Sequence, residues 1–253
     1  MKLKQYIGRH RTNLVTYGVV ILGFVIMQVL SASHMLSSSV EGFLVPICAY
    51  VVLAVSLNLV VGISGELSLG HAGFMGVGAF TGIIVAALLK TVIASKVLLL
   101  IVAIVCGGVM AGLFGVVIGL PVMRLRGDYL AIVTLAFGEI LKNLINNMYV
   151  GSDANGVHFV IGTEKPLLAD GGSMIINGPM GATGVAKLAT FPIGFALILV
   201  TLFVVLNLIN SREGRAIKAV RDNRIAAESV GINVTAFRLK AFVVSAFLAG
   251  MAG

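Results

Sequence analysis

Residues 97–122 read VLLLIVAIVCGGVMAGLFGVVIGLPV, twenty-six positions without one charged side chain. As a helix rising 1.5 Å per residue this run reaches ~39 Å, whereas about twenty apolar residues cross a hydrocarbon core of ~30 Å. A stretch of this length and purity marks lipid, not water, as the solvent. The rest of the chain agrees. Its 253 residues are 58% hydrophobic and only 11% charged, against roughly 25% charged in a soluble domain. The mean hydropathy is +1.07.

Further apolar runs cover about 14–30, 43–62, 72–89, 129–149 and 188–209. The expected fold class is therefore all-α: a polytopic transmembrane helical bundle of about six full spans, forming a single membrane domain over 1–253. A last apolar run, AFVVSAFLAGMAG, begins at Ala241 and holds thirteen residues, or ~20 Å of helix. That is too short to cross, so the chain is expected to be truncated within a seventh helix. The first run follows Lys2, Lys4, Arg9 and Arg11 and precedes Ser31-Ala32-Ser33, which approximates a signal-peptide cleavage site. It exceeds the usual 7–15-residue apolar core of such a peptide, which favours an uncleaved first helix.

The formal charge of +8 does not point to nucleic acid, because the basic residues sit in short segments between apolar runs. With a cytosolic N-terminus, alternation puts thirteen Lys and Arg inside: four at the N-terminus, Arg124, Arg126, and seven from Arg212 to Lys240. Lys90, Lys96, Lys165 and Lys187 fall outside, and Lys142 lies within a span. This is the positive-inside pattern. It makes 150–187 a Gly-rich periplasmic loop, long enough to fold partly against the membrane domain or to meet an external partner. It makes 210–240 a basic cytosolic loop of helical character. Cys48 and Cys106 both lie in apolar runs and read as packed thiols.

Several chemistries are missing. No G-x-x-x-x-G-K-[ST] occurs, and Gly76-Val-Gly78-Ala-Phe-Thr-Gly82 misses the dinucleotide fingerprint by one residue and follows no strand. The four His, at 10, 34, 71 and 158, are scattered and no CxxC occurs, so no catalytic, cofactor or metal site is expected in this chain. A transporter without its own ATP site needs an ion gradient or a separate engine.

Polar groups at membrane depth are few and therefore informative. Glu139, Lys142, Asn143 and Asn146 fall on or near one face of the 129–149 helix. They read either as the polar lining of a pathway or as a structural ion pair with Lys142 reaching the interface. Residues 59–82, LVVGISGELSLGHAGFMGVGAFTG, place Glu66, Ser68 and His71 among seven glycines. This is either a tight inner turn or a buried break whose freed backbone groups face protein or water. In the second reading Glu66, Ser68 and His71 satisfy those groups or line the path, His71 as a strut. Gly108, Gly112, Gly115 and Gly119 permit close helix contact in 97–122, in a rigid bundle or one that slides between two states.

The 210–240 loop reads NSREGRAIKAVRDNRIAAESVGINVTAFRLK. Asn210 or Ser211 can cap a first helix, Asp222 or Asn223 a second, and Asn233 or Thr235 the final one. Gly231 suits a left-handed helix C-terminus. A solvated positive loop explains the charges but not the Ala226-Ala227…Gly231 core of small residues.

IAAESVGINVTAFRLKAF resembles the cytoplasmic coupling loop of ABC importer permeases, whose pattern is EAA followed by a spaced Gly. Ile225 stands where that pattern has Glu; Ala226, Ala227 and Gly231 match. Together with VGISGELSLGHAGFMGVGAF and LRGDYLAIVTLAFGEI, the chain from about 43 to 253 resembles the branched-chain amino acid permease family. The resemblance implies one of two unlike permease subunits in a bacterial inner membrane. Two cytosolic ATPases carrying ATP and magnesium would bind the inner loops, and a periplasmic binding protein would deliver leucine, isoleucine or valine. Ala226, Ala227 and Gly231 would provide the fit to the ATPase, with Glu228 and nearby arginines, Arg221 among them, adding complementary charge. A urea or short-chain amide permease would share the loop. An ion-driven secondary transporter would instead use Glu139 or Glu66 as its proton or sodium site.

Overall fold

The computed structural model describes the chain apart from residues 1, 34–36, 91, 126–127, 154–155, 163–171 and 184–187, and the side chains of 2–14, 32, 128, 152 and 156–157. Arg126, Lys165 and Lys187 thus lie outside the described residues, as do His34 and the side chains of the four N-terminal basic residues and His10.

Helices dominate: α1 (Lys2–Ala32), α2 (Ser38–Asn58), α3 (His71–Leu89), α4 (Lys96–Val122), α5 (Asp128–Asn146), α6 (Phe191–Asn210), α7 (Arg212–Asp222), α8 (Arg224–Ser229) and α9 (Val234–Ala252). Among the described residues six helical segments are long and apolar enough to cross a membrane, namely Ser38–Ser64, His71–Leu89, Lys96–Val122, Tyr129–Asn146, Phe191–Asn210 and Val234–Ala252. A shorter apolar stretch, Val15–Ser31, lies on α1. There Phe24 stacks on Phe191 and Phe195 of α6, with ring centroids 5.3 and 4.1 Å apart.

The last helix requires a correction. Capped by Asn233, it starts at Val234, so the apolar run from Ala241 is only its later part, and its nineteen residues reach ~28 Å, enough to cross. Arg238 and Lys240 had disguised its first turns as loop. Arg238 is buried against Glu66, and Lys240 turns outward to Glu213. A helix can carry both charges because neither faces lipid alone.

Close contact of α3, α4 and α9 forms the core, with Phe74, Ala111, Ile118, Phe242, Ala246 and Ala249 at its centre. The glycines of α4 make this possible. A Cβ on Gly108 would lie 2.7 Å from Met251 Cγ, on Gly115 2.8 Å from Ala246 Cβ, and on Gly119 2.6 Å from Leu239 Cδ1. In lipid, where burial alone does not drive helices together, such close packing supplies the attraction.

The 150–187 region is not simply loop. Strands β1 (Met148–Asp153), β2 (Gly156–Ile161) and β3 (Ser173–Asn177) form an antiparallel sheet in the order β2-β1-β3. Val150, Ile175 and Ile176 pack on Phe80, Ile83, Ile84 and Ala87 of α3. Strands of five or six residues with Gly151 and Ser152 inside carry too little alternation to be read in advance.

Candidate functional site

Three features involve the residues singled out above: the segment between α2 and α3, the α7–α8 excursion, and a groove beside α5.

Helix α2 continues into a π-helical turn, Leu59–Ser64, which ends at Gly65 in the left-handed region (φ 75°). Residues 65–70 are then non-helical until α3 starts at His71. His71 Nε2 lies 2.9 Å from Ser56 Oγ and 3.3 Å from Ser245 Oγ. The chain therefore leaves the level of Ser56, turns, and climbs back to it. Ser245 is the twelfth residue of α9, ~17 Å along that helix, so the arm of residues 57–70 runs deep beside it. The segment turns at the end where α7 lies, with Ser64, Glu66, Ser68 and Gly70 buried and Gly62, Gly65, Leu67 and Leu69 exposed.

Side chains supply what the missing helix would have. The Leu69 amide donates to Thr134 Oγ1 (3.1 Å), which itself donates to the Ala131 carbonyl. Ser56 donates to the Leu53 carbonyl and Ser245 to the Ser56 carbonyl. Both serine hydroxyls reach main-chain carbonyls, which leaves the Ser56 oxygen open to accept from His71 Nε2. His71 thus ties the start of α3 to α2 and α9. Gly70 lies so close to α5 that a Cβ there would overlap the Thr134 carbonyl.

Glu66 and Arg238 form an ion pair, both side chains about nine-tenths or more buried, and Arg238 Nη1 also donates to the Met123 carbonyl at 3.3 Å. Ser64 Oγ, Glu66 Oε2, Ser68 Oγ and His71 Nδ1 are buried without a hydrogen-bond partner among the described residues. Four such atoms in eight residues make the arm depend on its ties to α5, α7 and α9.

One of those ties comes from the excursion. Arg221 Nη1 donates to the Gly62 carbonyl at 3.0 Å, while its Nε and Nη2 hold Asp222. The excursion itself is built from local signals. Ser211, Asn223 and Asn233 cap α7, α8 and α9 by accepting from the amides of Gly214, Ala226 and Ala236. Helix α8 ends in a Schellman motif: the Ile232 amide donates to Ala227 O and the Gly231 amide to Glu228 O. Gly231 has φ 83° with open space around its Cβ position, so the glycine is required for conformation and not for room.

The coupling residues divide. Ala227 is buried with Val220 and Val234, whereas Ala226, Glu228 and Gly231 are exposed. Glu228 pairs with Arg224 at 3.1 Å. Ile225 and Val230 are 80% and 74% exposed, an apolar knob on a charged loop.

On α5, Lys142 Nζ and Glu139 Oε1 are 3.0 Å apart, with both side chains more than half exposed. Together with Asn146 they border a groove of about 370 Å³ between α3 and α5. Asn143 is exposed nearby, and its carbonyl accepts from Asn147 Nδ2. The structure thus joins Glu66 and His71 to the arm and separates them from Glu139 and Lys142. Sequence reading missed Ser56, Thr134, Arg238 and Ser245. Of these only Arg238 carried a signal, as a charge inside a helix that needs a buried acid.

The model of the family described as "Branched-chain amino acid transport system / permease component" matches residues 39–253. The chain is 36% identical over 217 residues, 81% of its length, to the high-affinity branched-chain amino acid transport system permease protein LivM of Escherichia coli K12. The same values hold for LivM of Salmonella typhimurium LT2. The matched part is 49% of each, so the chain spans about half the length of these curated relatives. A nucleoside ABC transporter permease, NupC of Lactococcus lactis, is 26% identical over 164 residues, 54% of this chain and 52% of that protein. No solved structure matches.

Proposed function

Because the chain belongs to the family of branched-chain amino acid transport permease components, we propose that it is a membrane subunit of an ATP-driven importer of leucine, isoleucine and valine in a bacterial inner membrane. It is a multi-pass membrane protein of a transport permease family. In this reading a second permease subunit completes the pathway, two cytosolic ATPases hold ATP and magnesium, and a periplasmic binding protein delivers substrate over the 150–187 region.

The observation that carries the reading is the α7–α8 excursion. It is compact, capped at each turn, and presents Ile225, Ala226 and Val230 outward from a buried Ala227 anchor. An exposed apolar knob on a short rigid helix suits insertion into a groove of a partner, as coupling to a separate ATPase requires. Arg221 links this excursion to Gly62, so a displacement of α7 and α8 would act on the segment that precedes α3.

The test is reconstitution of the whole protein with its partner subunits and binding protein, measuring ATPase activity and uptake with leucine, isoleucine, valine and urea. Stimulation by the three amino acids and not by urea is expected. Gly231→Val forces a β-branched residue into the left-handed region, at a cost of ~1–2 kcal/mol. It should lower uptake at least tenfold while ATP hydrolysis continues. Normal uptake by that variant would overturn the coupling role of α8.

A further inference from the structure

Helix α5 qualifies as a membrane span, yet its Glu139 and Lys142 side chains are 57% and 63% exposed. Glu139 is the twelfth of nineteen residues in α5, ~17 Å from its start and ~10 Å from its end. A carboxylate at that depth does not face hydrocarbon; it faces water or a polar ligand.

The surroundings define what the ligand must be. One wall of the groove is the small-residue face of α3, with Ala72, Gly73 and Gly76. Phe80, Leu135 and Ile145 make the remaining surface mostly apolar, and Leu69 and Gly70 of the arm also line it. A volume of about 370 Å³ falls in the usual range for small-molecule sites, ~300–1,000 Å³. The charged inventory is one carboxylate and one ammonium, held 3.0 Å apart on consecutive turns of one helix.

A free α-amino acid offers the complementary set: an ammonium and a carboxylate on one carbon, with a side chain projecting away. Its insertion converts one ion pair into a ring of four alternating charges and leaves none unpaired. A ligand with a single charge would match only one of the two groups and leave the other to water, so it gains less from the groove than a zwitterion does. A neutral amide would have to break the existing pair without replacing it. We propose that the α3–α5 groove is a transit subsite for zwitterionic amino acids with apolar side chains, Glu139 taking the ammonium and Lys142 the carboxylate. This rests on the permease reading above and assigns that reading a binding position. Because Leu69 and Gly70 belong to the arm tied to α7 through Gly62, movement of the excursion would reshape the groove and release its occupant.

The experiment uses the reconstituted complete transporter with E139Q, K142M, the exchange E139K/K142E, and A72L, which narrows the groove. E139Q and K142M should each lower leucine uptake at least tenfold, with the second permease subunit retained at wild-type stoichiometry. The exchange should recover at least a third of wild-type uptake, because the zwitterion can bind reversed. A72L should depress leucine uptake at least fivefold more than alanine uptake. Wild-type uptake of leucine with both single variants within twofold of it would overturn the subsite alone. Loss of the second permease subunit from purified E139Q or K142M would also overturn it, by making the groove a protein interface. A wild-type complex that imports no apolar amino acid would overturn the substrate reading itself.

Discussion

Two of the carboxylate–cation pairs among the described residues are opposites. Glu139 and Lys142 are three residues apart on one helix and exposed. Glu66 and Arg238 are 172 positions apart, on the arm and on α9, and buried. The first pair needs only helical spacing, and its contribution to stability is small because water competes for both groups. The second exists only because the arm and α9 meet, and each partner would be ruinous alone. The contrast separates a pair free to exchange partners with a ligand from one that fastens the backbone.

The largest expected effect tests the fastening. R238M should destabilise the protein by ~3–5 kcal/mol, because it leaves Glu66 buried and unpaired. The double variant E66Q/R238M should be markedly less damaging than the sum of its single changes, measured by unfolding in mild detergent. If R238M is no worse than K142M, the distinction between the pairs fails. Next, S245A removes a donor to the Ser56 carbonyl and a neighbour of His71. A loss of ~0.6–1.7 kcal/mol is expected for a hydrogen bond between membrane helices. No loss would mean that the Ser56–His71 contact alone holds the start of α3. K142M should change stability least, by under ~1 kcal/mol, although transport is expected to fall sharply. A stability loss matching that of S245A would make the α5 pair structural.

Legibility in the sequence followed the range of the interactions. The caps by Ser211, Asn223 and Asn233 and the left-handed Gly231 depend on neighbours within a few residues, and the local pattern contained them. The groove pair was visible as spacing, though not the groove, which needs α3 opposite. The spanning length of α9 was underestimated because Arg238 and Lys240 look like loop residues until Glu66 and Glu213 are brought to them. The three-stranded sheet was missed because its strands are short, with glycines in β1 and β2, and gain their apolar face only against α3.

By itself, the sequence determined the solvent, the number and rough position of the apolar helices, the helix-capped excursion, and the scarcity of charge that makes each buried ion informative. These follow from composition, from hydrophobic run length and from contacts within one or two turns. Only the tertiary structure decided that residues 57–70 fold back to the level of Ser56, that Glu66 belongs to Arg238, and that Arg221 joins the excursion to the arm. Those outcomes depend on which distant group arrives to neutralise a charge or satisfy an amide. No local pattern carries that information.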